Sequence, residues 1–291
     1  MLVAVLSLKG SPGVTTFAVA LAVRWPGPAR SVVIEADPSG GDLATRFSLP
    51  SHRGLLSLAA AAHHKADPAL VWQHCLALPG GLPVVAAPPD AEQARAALSA
   101  LVLPQGTDAG VLRAAADVPG VVVIADCGRV DPGSAVMPVV CSADVVVLLT
   151  RARADDLAHL ARRMPVVGRW SRRAVLLLVG EGYSSAEVAR GLGVVPLGRV
   201  PVDPRGAAVL SGRSIGPRGS RGGPSRSALG RVAHEVAVRL QPQQPVPAGR
   251  GVPDLRAVPA APMWVNGVWV APTPPPLPAL PVSGFTRGVA S

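Results

Sequence analysis

The ten residues Ser7-Leu8-Lys9-Gly10-Ser11-Pro12-Gly13-Val14-Thr15-Thr16 combine groups that a phosphate needs around it. Gly10 and Gly13 allow a tight turn and let a ligand come close to the main chain. Lys9 carries a positive charge, and Thr15 or Thr16 offers a hydroxyl to a bound cation. The apolar run Met1–Leu6 before the loop reads as a strand, and Phe17–Trp25 after it reads as a helix. Strand, glycine-containing turn and helix is the setting in which backbone N–H groups and a helix N-terminus hold an anion. Two carboxylates further along could complete such a site. Ser31–Ala36 is a short β-branched strand that runs into Asp37-Pro38-Ser39-Gly40-Gly41-Asp42, and Val121–Asp126 is a valine-rich strand ending in an acid. A carboxylate at the C-terminal end of a parallel strand lies on the ligand-binding edge of an open α/β sheet. Taken singly, each of these also reads as ordinary structure: a βα turn with a solvated lysine, an Asp-Pro turn, a buried strand that ends in aspartate.

The loop departs from G-x-x-x-x-G-K-[ST], because Val14 stands where the lysine is required. It resembles instead the deviant P-loop of the ParA/MinD family of ATPases, K-G-G-x-G-K-[ST]-T. Lys9, Gly10, Gly13, Thr15 and Thr16 match; Ser11 replaces a glycine and Val14 the usual lysine, so the P-loop is degenerate. Four later segments extend the resemblance, which covers residues 1–240. E-A-D-P-S-G-G-D is similar to the family's switch I, with Asp37 as the matching acid. V-V-V-I-A-D matches its Walker-B-like strand at Asp126, followed by Gly128 in the switch II position. Asp144–Thr150 with the helix after it is similar to the next strand–helix pair, and G-R-V-P-V-D-P, residues 198–204, resembles an I-P-x-D segment near the nucleotide base, with Pro201 and Asp203 in place.

The resemblance implies a three-layer α/β sandwich around a mostly parallel sheet, with ATP and Mg²⁺ as cofactors. It implies a nucleotide-sandwich homodimer in which Lys9 reaches the partner's phosphates. Gly10, Ser11, Gly13, Val14, Thr15 and Thr16 would surround the phosphates, Pro201 and Asp203 the base, and Thr15, Asp37 and Asp126 the metal; Lys9, Asp37 and Asp126 would serve hydrolysis. The implied function is an ATP-binding switch that positions a partner or DNA, as in chromosome partitioning. Val14 removes a charged hydrogen bond to phosphate, a loss of about 10–100-fold in affinity, and on the order of 10²–10³ in rate if that donor acts in the transition state. Pro12 removes one further loop N–H. Weak or absent hydrolysis is expected. The family's base-reading asparagine has no counterpart at the end of strand Ala174–Val179, where Val179-Gly180-Glu181 stand. Two alternatives stay open: a non-hydrolysing scaffold of the same fold, as in pilus or secretion assembly, and a nonspecific DNA-binding protein.

The elements that must position these residues are legible as alternating strands and helices. Beyond those named, strands are predicted at Gly81–Ala87 and Val194–Leu197, and helices at Asp90–Val102, Asp108–Ala116 and Ala228–Leu240, with helical patches in 52–78. Ser184-Ser185-Ala186-Glu187 is a capping box opening a short helix. His52, His63, His64 and His74 do not give a convincing metal spacing. Cys75, Cys127 and Cys141 form neither a disulfide framework nor a metal motif, so reduced thiols and a cytoplasmic location are expected. Neither a secretory signal nor a transmembrane run is expected from the apolar pattern.

Of 28 basic residues only Lys9 and Lys65 are lysine. Residues 199–291 hold 11 arginines against 3 acids, which points to an acidic partner, nucleic acid or an anionic membrane surface. Residues 211–227 read as a mobile basic loop whose Arg213, Arg218, Arg221 and Arg226 could neutralise DNA phosphates without reading sequence. The remainder, 241–291, reads as a Pro-rich disordered tail that could engage a protein partner. Within it, Asn266-Gly267 between two apolar dipeptides predicts a hairpin over 263–270, with Trp264 opposite Trp269. A two-stranded hairpin is marginal alone, so it needs a surface to dock on.

Overall fold

The computed structural model describes residues 1–63, 66–101, 110–171, 173–211, 224–241, 263–265 and 268–270. Among the described residues ten strands lie in one sheet: β1 Leu2–Ser7, β2 Arg30–Glu35, β3 Leu76–Ala77, β4 Pro83–Val85, β5 Val121–Arg129, β6 Val145–Arg151, β7 Arg173–Val179, β8 Gly198–Val200, β9 Met263–Val265 and β10 Val268–Val270. The helices are α1 Val14–Val23, α2 Leu43–Phe47, α3 Leu55–Ala62, α4 Ala69–Gln73, α5 Ala91–Ala100, α6 Val111–Asp117, α7 Met137–Cys141, α8 Ala154–Trp170, α9 Ser185–Leu192, α10 Pro204–Leu210 and α11 Ala228–Leu240.

Strand order is β3-β4-β2-β5-β1-β6-β7, and β7 then shares its outer edge between two partners. β8 runs parallel to residues 177–179 of β7, and β10 runs antiparallel to residues 173–175. From β4 to β8 every pairing is parallel. Period-two alternation divides the strand side chains between the faces. Leu2, Ala4 and Leu6 of β1 join Val32, Ile34, Val123 and Ala125 in one apolar cluster, which α3, α5 and α6 cover. Val3 and Val5 join Val33, Val122 and Ile124 in the other, under α1 and α11. Strands buried on both faces are near-continuous Val/Leu/Ile runs, as a parallel sheet requires. The result is the expected three-layer sandwich.

Several boundaries differ from the sequence expectation. α1 starts at Val14 rather than Phe17, because the turn ends at Gly13 in the left-handed region, φ 81°. The predicted strand Val194–Leu197 is displaced to Gly198–Val200; Val194 packs in the apolar cluster instead. α9 opens on the predicted capping box, with Ser184 and Glu187 bonded to each other's backbone N–H. The hairpin forms with Trp264 paired to Trp269 in register, and the surface it docks on is the edge of β7. The strands of 263–270 therefore continue the main sheet rather than stand apart from it. Of the remaining expectations, Arg213, Arg218, Arg221 and His64 lie outside the described residues. Among the described residues no cluster of His, Cys, Asp and Glu could hold a metal on its own, and no helix is long and apolar enough to cross a membrane.

Candidate nucleotide site

β1 is buried along its whole length and delivers its C-terminal end to the middle of the sheet edge, between β5 and β6. The loop that follows is folded on itself. The Ser7 hydroxyl donates to the Gly10 carbonyl at 2.7 Å, and the Gly13 N–H donates to the Ser11 carbonyl at 2.6 Å. Pro12 has no N–H. The loop's main-chain donors are thus fewer than in a glycine-only loop, and the first-turn N–H groups of α1 are the ones left without helical acceptors. No acid occupies that first turn, so the positive end of the helix dipole is uncompensated.

Val14 is fully buried and packs in the apolar cluster with Val3, Val5 and Phe17. Its side chain belongs to the core under α1. Lys9 is exposed and donates to Asp155 Oδ2, in the first turn of α8, at 2.8 Å. The ammonium holds the Asp155 carboxyl below its usual range. An exposed pair of this kind contributes little to stability, so Lys9 is readily released.

Three acids converge at the C-terminal ends of β2 and β5. Glu35 and Asp126 are direct partners in the strand register, and Asp37 follows β2 by two residues. Asp126 is fully buried, and its Oδ2 has no hydrogen-bond partner. Burial pushes its carboxyl up to about 7; the charges of Glu35 and Asp37 add to this, and the nearby Thr15 hydroxyl and the Gly128 N–H act against it. A buried carboxylate oxygen left unbonded is costly. Beside a threonine hydroxyl at the foot of α1, that orphan oxygen fits a divalent cation or its water shell. Asp37 is half-buried, its Oδ1 accepts from Ser39 N–H at 2.7 Å, and burial raises its carboxyl. Its carboxylate lies against Gly128: a Cβ there would overlap it, and Gly128 also has φ 57°.

Glu35 is the acid that sequence reasoning passed over. It is 1% exposed. Its Oε1 accepts from Asp42 N–H at 2.7 Å and Leu43 N–H at 3.0 Å, and its Oε2 from Ala87 N–H at 2.9 Å. It clips the Asp37–Asp42 loop to the end of β4. Burial raises its carboxyl against those three bonds. The signal was present in the sequence: one acid inside the apolar strand Ser31–Ala36.

The loop and the 198–204 segment meet in one cavity of about 370 Å³, lined by Ser11, Gly13, Thr16 and Phe17 on one side and Val200–Pro204 and Ala207 on another. Pro201 and Asp203 are both in its wall. Asp203 caps α10, accepting from Gly206 N–H at 2.8 Å and, on its other oxygen, from Leu229 N–H at 3.2 Å. Its carboxylate therefore joins α10 to α11 and shapes the wall. Arg151 and Arg153, which sequence reasoning left unassigned, also line this cavity. Arg226 is exposed in a short 3₁₀ turn, and its carbonyl accepts from Arg231 at 2.7 Å.

Comparison with solved structures identifies the fold. A ParA family ATPase from Chlorobium tepidum TLS matches with a TM-score of 0.61 and 16% identity, over 82% of this chain and 98% of that one. The ATP complex of a McdA variant from Cyanothece matches with 0.55 and 16%, over 84% and 98%. The septum site-determining protein MinD of Pyrococcus horikoshii OT3, complexed with Mg-ADP, matches with 0.53 and 15%, over 73% and 86%. No family model and no curated protein matches the sequence. The chain has the ParA/MinD-type P-loop ATPase fold.

Proposed function

We propose that this chain is a nucleotide-dependent switch that binds Mg·ATP across a homodimer and positions a partner protein or DNA, with slow hydrolysis. One observation carries the reading: the glycine loop and the Pro201–Asp203 segment wall a single cavity at the C-terminal edge of a parallel sheet. That crevice is where open α/β folds bind ligands. Two of the structural neighbours were solved with ATP or Mg-ADP.

Each residue then has a role set by its place. The N–H groups at the start of α1, with Gly10 and Ser11, face the phosphates. Thr15 and Asp126 would hold magnesium; bound to them, the ion neutralises phosphate charge. Asp37, pressed on Gly128, orders water beside it. Pro201 and the exposed Val202 present an apolar wall to the base. Lys9 waits on Asp155 of its own protomer and is free to exchange that exposed carboxylate for the phosphates of a second copy. Weak turnover follows from Val14, whose buried side chain offers phosphate neither charge nor donor.

A second reading, a non-hydrolysing scaffold of the same fold, is favoured by that same burial of Val14. Binding and turnover of Mg·ATP, with the oligomeric state measured alongside, separate the two in wild type, Lys9→Ala and Val14→Lys. Dimers that form with Mg·ATP and are lost in Lys9→Ala support the switch; binding without dimers or turnover supports the scaffold. Absence of nucleotide binding in all three, with salt-sensitive DNA affinity that falls when Arg213, Arg218, Arg221 and Arg226 are replaced, would leave nonspecific DNA binding.

A further inference from the structure

The cavity keeps two guanidinium groups that the preceding mechanism does not use. Arg151 is the last residue of β6, and Arg153 is the N-cap of α8 with extended backbone, φ −116° and ψ 151°. Both are exposed, and Ala152 between them is buried. An extended segment sends alternate side chains to the same side, so the two arginines reach the same space, and both line the cavity. β6 is the direct neighbour of β1 in the sheet. The end of β6 therefore stands next to the glycine loop, while Glu181 and Asp203, the acids of the cavity, come from beyond β7 and β8.

Several other arginines of the described residues are engaged: Arg113 with Asp117 and Asp144, Arg129 with Asp131, Arg173 and Arg199 with backbone carbonyls. The side chains of Arg151 and Arg153 make neither a hydrogen bond nor an ion pair with any described residue; their main chains are engaged in the sheet and in the first turn of α8. Asp155, two residues past Arg153, is bonded to Lys9 instead. Asp203 spends both oxygens on backbone N–H groups. Two unengaged guanidiniums beside a glycine turn and a helix N-terminus make a site for a polyanion, since arginine forks match phosphate oxygens in pairs.

We infer that Arg151 and Arg153 form the phosphate clamp of this protein and supply in cis, from the β6–α8 junction, the charge that Val14 leaves out of the loop. The ligand is a di- or triphosphate whose chain lies between the loop and β6. The identity of the rest of that ligand rests on the nucleotide reading above; the clamp itself does not. A monomer can use it, because both arginines and the loop belong to one chain.

Calorimetric titration with two probes tests this, sodium tripolyphosphate and ATP, each with EDTA and then with Mg²⁺. The proteins are wild type, Arg151→Gln, Arg153→Gln, the double variant, and Arg162→Gln as a control on the exposed face of α8. Each single replacement is expected to weaken both probes about 10-fold or more, the scale of one charged hydrogen bond. The double variant is expected to lose at least about 100-fold, and the control to stay within about twofold of wild type. Arg→Lys at either position should restore part of the loss, keeping the charge without the fork. Because both side chains are exposed, thermal unfolding should not change. If wild type binds ATP and the double variant binds it equally well, the clamp is refuted while the nucleotide reading stands. If wild type binds tripolyphosphate through the arginines but shows no added affinity for ATP, the clamp stands and the nucleotide reading falls. If wild type binds neither probe, both fall.

Discussion

Glu35→Ala should cost this protein more stability than any other single change at the site, and the structure says where the loss arises. The carboxylate accepts three backbone N–H groups, from Asp42, Leu43 and Ala87. Removing it leaves all three without an acceptor. Asp42 is exposed enough for water to replace the bond, but Leu43 and Ala87 are 1% exposed each. A buried N–H without a partner costs about 1–3 kcal/mol, so the two together cost roughly 2–6 kcal/mol. Loss of the carboxylate also removes its own burial penalty, the effect that raises its pKa. The net expectation is about 3 kcal/mol, or a melting temperature lower by roughly 6–12 °C for a fold of this size. Glu35→Gln keeps one accepting oxygen, and its amide would face one of the N–H groups; about half the loss is expected. Urea unfolding gives the energies, and amide hydrogen exchange gives the place: exchange at 42, 43 and 87 should accelerate before that of β1 or β5. An alanine variant within about 0.5 kcal/mol of wild type, or one with unchanged exchange at those three amides, would refute the argument that Glu35 is the clip of the Asp37–Asp42 loop.

Asp126→Asn should stabilise the protein in the absence of divalent cations, increasingly so as pH rises. The folded carboxyl titrates at about 7 against an ordinary value of 3.8, so between those values the folded chain holds a proton that the unfolded chain has released. The contribution of Asp126 to wild-type stability is then highest below about pH 4 and falls up to about pH 7, by at most about 4 kcal/mol; urea midpoints of wild type and variant at several pH values check this, and an advantage of the variant that does not grow with pH would count against it. Gly128→Ala should displace the Asp37 carboxylate, because a Cβ there overlaps it and φ is 57°. A destabilisation of about 1–3 kcal/mol is expected, together with weaker magnesium dependence of nucleotide binding; an alanine variant that behaves as wild type in both would mean that Asp37 has no fixed place there.

Most of the fold and part of the site were legible in residue order. Continuous apolar runs marked β1, β2, β5, β6 and β7, because strands buried on both faces need no polar side. Ser184 to Glu187 marked the start of α9, because the capping box is chemistry within four residues. The strand after α9 was misplaced, because Val194 satisfies its burial by packing in the core and not by pairing. Asp203 was legible as a wall residue but not as the cap that joins α10 to α11, since its second partner, Leu229, lies in a later helix.

By itself the sequence determined the local units: a strand, a glycine turn and a helix in succession, carboxylates at the ends of two strands, and an Asn-Gly hairpin. These depend on residues within a few positions of one another, through side-chain periodicity and turn preference. Only the tertiary structure decided which strand ends stand together. It placed β6 beside β1 and so brought Arg151 and Arg153 to the glycine loop; it turned Val14 into the core, tied Lys9 to Asp155, and set the hairpin on the edge of β7. Strand order and register are settled by burying two faces of one sheet at once. That condition is met by the whole chain together, and short-range patterns do not contain it.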